Sequence, residues 1–154
     1  MVSFKAICEN NYSIILDSMI RKNIFENYNN YEDTEACFKH MLNGYYHDFF
    51  QVEDGNNNYL GVIFSYDFRL NDLNSKMEFV FNDNLEEDIS LDIINLYVQY
   101  LFKEYPINKI FIKCENRDKV TLLQRAQFEI EMTLKDYLYL DGKYVDQIFL
   151  SRRR

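Results

Sequence analysis

The chain has few of the residues that signal metal centres, disulfides and chain breaks. Its 154 residues include three cysteines, one proline, four glycines and no tryptophan. Cys8, Cys37 and Cys114 form no CxxC pair, and His40 and His47 stand seven positions apart, so neither a zinc site nor a disulfide framework is expected. Three free thiols are typical of proteins in a reducing compartment, and we therefore predict a cytoplasmic location and no bound metal.

Basic charge and long hydrophobic runs are scarce as well. The 17 Lys and Arg residues face 25 Asp and Glu residues, which gives a net charge of −8 and argues against a nucleic-acid partner. No apolar stretch approaches the roughly 18–20 residues that a membrane span requires, so we expect no membrane partner and no secretory leader. With 47% hydrophobic residues, the chain can bury the core of one domain over residues 1–154.

Hydrophobic periodicity predicts one α/β domain. Ile89, Ile93, Tyr97 and Leu101 recur at every fourth position, which indicates a long amphipathic helix. This helix joins two predicted strands, and a strand–helix–strand unit favours a parallel pair. The expectation is a mixed sheet of about seven strands with about four helices. The predicted strands are Phe4–Cys8, Phe49–Glu53, Tyr59–Phe68, Met77–Phe81, Asn108–Cys114, Thr133–Leu140 and Tyr144–Leu150, and the shorter helices are Tyr12–Phe25, one from Thr34, and Asp118–Ala126.

Three segments resemble a known family. Glu115-Asn116 is followed by Leu122-Leu123 and Phe128, the tail reads Tyr139-Leu-Asp-Gly-Lys-Tyr-Val-Asp146, and the long helix precedes the Asn108–Cys114 strand. In this order they resemble the GNAT superfamily of acyl-CoA-dependent N-acyltransferases, in particular the branch with the ribosomal-protein alanine N-acetyltransferases. The resemblance implies a GNAT-like domain with a splayed mixed sheet.

The same resemblance implies the cofactor and its contacts. Acetyl-CoA would be the co-substrate, and its pantetheine arm would lie between two splayed parallel strands. The backbone groups of Phe79, Val80 and Phe81 would pair with that arm, and Asn116 would reach it from the other strand. Alternatively, Asn116 is a turn residue that closes its strand.

The segment before the long helix departs from the family pattern. The family has a glycine-containing pyrophosphate loop there, whereas this chain has Asn84–Ser90 with Glu86, Glu87 and Asp88 and no glycine. The carboxylates either make this a degenerate CoA loop or simply stabilise the helix dipole. Lys119 and Arg125, in a basic cluster with Lys113 and Arg117, would bind a CoA phosphate instead. The alternative is ordinary solvated charge, as we expect for the terminal Arg152–Arg154.

Glu78 is the candidate general base. It lies in the predicted strand Met77–Phe81, near where several members of the family keep a glutamate that deprotonates the attacking amine. The alternative is a solvated strand glutamate. The predicted function is transfer of an acetyl group from acetyl-CoA to a primary amine of a small molecule or a protein N-terminus. The alternative is a catalytically silent GNAT-fold interaction module, and the chain is a candidate homodimer in either case.

Overall fold

The computed structural model describes residues 1–7, 16, 36, 48–140 and 142–154. In chain order the elements are β1 (Ser3–Ala6), β2 (Asp48–Glu53), β3 (Tyr59–Arg69), β4 (Asn74–Phe81), α1 (Glu87–Glu104), β5 (Lys109–Cys114), α2 (Arg117–Arg125), β6 (Glu129–Leu140) and β7 (Lys143–Arg153). The described residues therefore contain two helices, where about four were expected for the whole chain. The helices predicted at Tyr12–Phe25 and from Thr34 lie outside the described residues, apart from Leu16 and Ala36, which are helical.

The strands form a mixed seven-stranded sheet in the order β1-β2-β3-β4-β5-β7-β6. Strand β4 pairs with β5 in parallel, whereas β1–β2, β2–β3, β5–β7 and β6–β7 are antiparallel. The predicted α/β class and strand number are confirmed. No helix in the described ranges is long and apolar enough to cross a bilayer.

The chain divides into two compact units, and the first comprises Met1–Asp67 with Phe79–Leu85. Its strands β2 and β3 bury Val52, Val62 and Ile63 completely. Gly61 allows a close approach of the backbone, because a Cβ atom there would clash with the Val80 carbonyl oxygen and lie 2.7 Å from the Phe81 Cα. The end of β4 is thus fixed against β3 by a residue without a side chain.

The second unit comprises Phe68–Glu78 and Glu86–Arg154. One side of α1 is fully buried, as its periodicity predicts, and this side includes Ile93, Tyr97 and Leu101. The helix ends at Glu104, before the proline at position 106, which cannot continue it. This unit contains both helices that the structure describes and the parallel strand pair, and these elements position the candidate site.

The carboxyl-terminal hairpin is confirmed, and it extends further than predicted. Leu140 pairs with Lys143, and Gly142 has a φ of 81°, which suits a two-residue turn. The expected solvated tail is wrong for Arg152, which is half-buried, whereas Arg153 and Arg154 are exposed. The Arg152 guanidinium donates to the Asn95 side chain at 2.7 Å and to the Ala126 carbonyl at 2.8 Å, while Arg154 donates to the carbonyls of Phe102 and Tyr105 at the end of α1. These arginines bind backbone acceptors that the ends of the helices leave unpaired.

Candidate active site

The parallel strands β4 and β5 are paired over only part of their length. Asn74–Lys76 pairs with Lys109–Phe111, after which β5 continues to Cys114 alongside β7. Met77 and Glu78 extend β4 beyond the last residue that this register pairs with β5. A parallel pair that separates in this way leaves backbone donors and acceptors available to an extended ligand.

Glu78 lies just beyond this separation point. Its side chain is buried, and its Oε1 accepts a hydrogen bond from the Lys119 Nζ at 2.8 Å. Burial raises the pKa of Glu78, because desolvation disfavours the carboxylate, whereas the Lys119 ammonium opposes the increase. The interpretation of Glu78 as a solvated strand residue is therefore wrong. A buried carboxyl with a raised pKa is typical of a general base.

Lys119 reaches Glu78 from helix α2. This helix begins at Arg117, and Asn116 caps it, because the Asn116 Oδ1 accepts from the backbone N–H of Asp118 at 2.7 Å and of Lys119 at 3.4 Å. The cap fixes the first turn and thereby points Lys119 toward β4. Burial lowers the pKa of Lys119, whereas the carboxylates of Glu78 and Glu115 raise it. The carboxylates outweigh burial, so the pKa of Lys119 lies above its ordinary value.

Asn116 lies between β5 and α2 as the N-cap of the helix, and its predicted contact with pantetheine stays a prediction. Its side-chain oxygen is used in capping α2, so its amide Nδ2 is the group that could donate to a ligand. The neighbouring Cys114 is buried, and burial raises the pKa of its thiol to about 12. A thiol with that pKa stays protonated at neutral pH and is a poor nucleophile.

The other end of α2 faces the acidic turn that starts α1. The Arg125 guanidinium bonds the Glu87 carboxylate at 2.5 Å and the Asp88 carboxylate at 2.8 Å. The residue before the helix, Glu86, makes no side-chain capping hydrogen bond. Arg125 therefore contacts two of the three carboxylates at this turn, and its single positive charge offsets one of their three negative charges. The structure thus separates Lys119 and Arg125, which the sequence placed in one basic cluster, and gives each a carboxylate partner.

The remaining predicted cofactor residues follow Glu78 on β4. Phe79 and Val80 are buried, Phe81 is half-buried, and the rings of Phe79 and Phe81 stack with centroids 4.7 Å apart. They belong to the first compact unit, whereas Glu78 belongs to the second. Their contact with pantetheine stays a prediction.

A cavity of about 610 Å³ lies between α2 and the β6–β7 hairpin within the second unit. Its polar lining includes the carboxylates of Glu115 and Asp146, the Arg117 guanidinium, and Tyr144. Sequence reasoning did not identify this cavity, because its lining comes from residues about 30 positions apart that only the return of β7 beside β5 brings together. Sequence reasoning also did not pair Lys119 with Glu78, because the two residues are 41 positions apart and no periodic pattern links them.

Solved structures share the fold of this chain over nearly its entire length. Spermidine N-acetyltransferase from Vibrio cholerae in complex with CoA and spermine superposes with a TM-score of 0.85 at 18% identity, covering 99% of this chain and 95% of that one. The N-acetyltransferase fold is therefore the fold of this chain. A point mutant of that enzyme gives a TM-score of 0.83 at 19% identity, with 98% and 94% covered, and its manganese complex gives 0.82 at 18%, with 99% and 92% covered.

At this identity the likeness shows the fold and leaves the family open. No family model and no curated protein matches the sequence. The manganese in one N-acetyltransferase structure gives no argument for a metal here, because the described residues contain no group of three or more His, Cys, Asp or Glu side chains that could hold a metal ion. The resemblance noted in the sequence is thus confirmed at the level of the fold.

Proposed function

We propose that this protein is an acyl-CoA-dependent N-acetyltransferase that moves an acetyl group from acetyl-CoA to a primary amine. One observation carries the proposal: Glu78, a buried carboxyl with a raised pKa, lies where the parallel strands separate in an N-acetyltransferase fold. Fold likeness alone does not establish an activity, but a placed base within that fold supports a reaction class.

The chain has residues that suit the co-substrate. Within the second unit, the Asn116 Nδ2 would donate a hydrogen bond to the pantetheine arm. The first turn of α1 and Arg125 would hold the phosphates, because helix N-terminal N–H groups and a guanidinium both favour phosphate oxygens. Acetyl-CoA supplies an activated acyl thioester, and no metal is required for its transfer to an amine. Lys119 would bind a phosphate only by leaving Glu78, so we assign the phosphate contact to Arg125.

Glu78 would remove the proton that the amine must lose. An alkyl amine attacks in its neutral form, through its lone pair, and its nitrogen becomes positively charged as the bond to the acyl carbon forms, so a base must accept a proton from it during attack. A carboxyl whose pKa burial has raised accepts that proton more readily than a solvated glutamate does. The Lys119 contact occupies one oxygen of Glu78, and the other can face the amine.

The acceptor that we propose is a small cationic amine, and a protein N-terminus is the second choice. The likeness to an enzyme solved with spermine supports a polyamine, and the net charge of −8 attracts cations. The alanine N-acetyltransferase resemblance of the tail supports an N-terminus. Glu115 and Asp146 in the cavity beside α2 would bind ammonium groups of either acceptor.

Calorimetry with acetyl-CoA and a thiol-release assay test the proposal. The amine panel is spermidine, spermine, an aminoglycoside and a peptide with an N-terminal alanine. Glu78→Gln should lower kcat about 100-fold, the range for a lost general base, with the KM for acetyl-CoA nearly unchanged.

The matched control is Glu53→Gln. Glu53 is also buried and ion-paired, with the Lys5 Nζ at 2.5 Å, but it lies on β2. Its replacement should leave kcat near the wild-type value. Wild-type protein that gives no heat with millimolar acetyl-CoA and acetylates no amine of the panel would favour the interaction module instead.

A further inference from the structure

Two oppositely charged side chains meet where β4 and β5 separate. The Lys119 Nζ lies 2.8 Å from the Glu78 Oε1, and the side chains are 22% and 9% exposed. The pair is shielded from bulk water, yet Lys119 retains an accessible edge. A base and a proton donor in direct contact can exchange a proton without help from solvent.

Resting on the proposed acetyl transfer, we propose that Glu78 and Lys119 work as one proton-transfer pair, in which Glu78 takes the proton of the attacking amine and Lys119 protonates the departing thiolate. The amine nitrogen forms a bond to the acyl carbon, and the carbon–sulfur bond breaks with its electron pair on sulfur. The amine proton goes to the Glu78 carboxylate, and an ammonium proton of Lys119 goes to the sulfur. A proton then crosses from the Glu78 carboxyl to the Lys119 amine, which restores the ionised pair.

The electrostatics of the pair favour this order of events. Burial lowers the pKa of Lys119, and the charge of Glu78 is the largest influence that raises it. When Glu78 becomes neutral by accepting the amine proton, that influence disappears while burial remains. Lys119 is therefore most acidic when the thiolate leaves. Three further titratable groups affect the pair: Glu115 raises both pKa values, Lys113 lowers that of Glu78, and Cys114 raises that of Lys119.

The test compares Lys119→Arg with wild type in pH profiles of kcat. Arginine keeps the positive charge and the partner of Glu78, but its guanidinium does not lose a proton at accessible pH. We expect kcat to fall about 100-fold, the typical contribution of a general acid, and the decline of kcat at high pH to disappear, with acetyl-CoA affinity in calorimetry unchanged. The assay uses the amine of the panel with the highest kcat/KM.

Lys103→Arg is the control, since Lys103 is 82% exposed near the far end of α1. It should keep the wild-type profile. A Lys119→Arg variant that retains the high-pH decline, or whose kcat stays within about threefold of wild type, a loss too small for a general acid, overturns the proton-transfer pair and leaves the acetyltransferase proposal intact. Wild-type protein that neither binds acetyl-CoA nor acetylates the panel overturns both.

A second measurement needs no substrate. NMR titration of ¹³C-labelled lysine in the ligand-free protein should show that Glu78→Gln lowers the pKa of Lys119, because the charge is lost and the burial is kept. Glu104→Gln, at the end of α1, should leave that pKa unchanged. An unchanged Lys119 pKa in Glu78→Gln would mean that the two groups do not share protons, which overturns the proposal whatever the enzymatic result.

Discussion

The two ends of helix α2 make the same kind of contact in opposite surroundings. In its first turn, Lys119 bonds Glu78, and these side chains are 22% and 9% exposed. In its last turn, Arg125 bonds Glu87 and Asp88, where the exposed fractions are 43%, 56% and 85%. Each contact joins a cation of α2 to a carboxylate of another element, so burial is the main difference between them.

Burial determines what each contact can do. Removing one partner of a buried ion pair leaves an unpaired charge in a poorly solvated site, whereas an exposed pair is screened by water and salt and contributes little to stability. The buried end can therefore shift pKa values and take part in proton chemistry. The exposed end can open for a ligand at small cost, which suits a phosphate site.

The largest effect on stability should come from breaking the buried contact. Lys119→Met keeps most of the side-chain volume but removes the charge, so Glu78 must stay unpaired or take up a proton. We expect the free energy of unfolding at pH 7 to fall by about 2 kcal/mol, below the 3–5 kcal/mol of a fully buried pair because Lys119 is partly exposed. Urea denaturation followed by circular dichroism measures it.

Lys103→Met is the matched control, because Lys103 is well exposed and bonds only its neighbour Glu104 among the ion pairs described. Its unfolding free energy should match wild type. If Lys119→Met also matches wild type, the contact with Glu78 does not stabilise the fold, and the comparison between the two ends of α2 fails.

A smaller effect should follow from breaking the exposed contact, and it should appear in binding. Arg125→Met leaves Glu87 and Asp88 without their cation at the start of α1, so the urea midpoint should stay at the wild-type value while CoA binding weakens about tenfold, as expected for one lost charge-assisted contact. Calorimetry with CoA and with desulfo-CoA measures it, since both carry the pyrophosphate.

The triple variant Arg125→Met, Glu87→Gln, Asp88→Asn separates two explanations. Affinity that returns toward wild type indicates that Arg125 acts by neutralising the acidic turn. Affinity that stays low indicates a direct contact between Arg125 and phosphate. Arg125→Met protein with wild-type CoA affinity contradicts the assignment of this end of α2 to the cofactor.

The sequence predicted the helices and strands that carry these two contacts, but it did not predict which side chains form the ion pairs. Four-residue periodicity in α1 and alternation in β5 are local signals, and both elements appear where expected. The prediction began β6 at Thr133, four residues late, although Glu129–Met132 alternates polar and apolar residues; all four are exposed.

Ion pairs are set by the tertiary fold, and that is why the site was predicted only in part. Glu78 was identified as a base from its strand position, yet whether it was solvated or buried depended on elements far away in the chain. Lys119 and Arg125 were grouped because they are six positions apart, whereas the helix directs them to different neighbours, β4 and α1. Arg152 was misjudged for the same reason, since its acceptors, the Asn95 side chain and the Ala126 carbonyl, lie far away in the chain and no residue pattern marks them.

The pH dependence of stability should distinguish the two ends most finely. Burial raises the pKa of Glu78 above 4.5, so the folded state binds the Glu78 proton more tightly than the unfolded state does. In Lys119→Met no ammonium opposes this increase, so the pKa difference between the folded and unfolded states becomes larger. Stability lost by Lys119→Met should therefore be greatest near pH 7 and recover as pH falls toward 4.5. The unfolding free energy of Arg125→Met should differ from that of wild type by the same small amount at every pH. Urea titrations of both variants in one buffer series measure this from pH 5 to pH 9, because a folded state is generally maintained over that range. A Lys119→Met deficit that is flat across this range would mean that Glu78 does not change its protonation when its partner is lost.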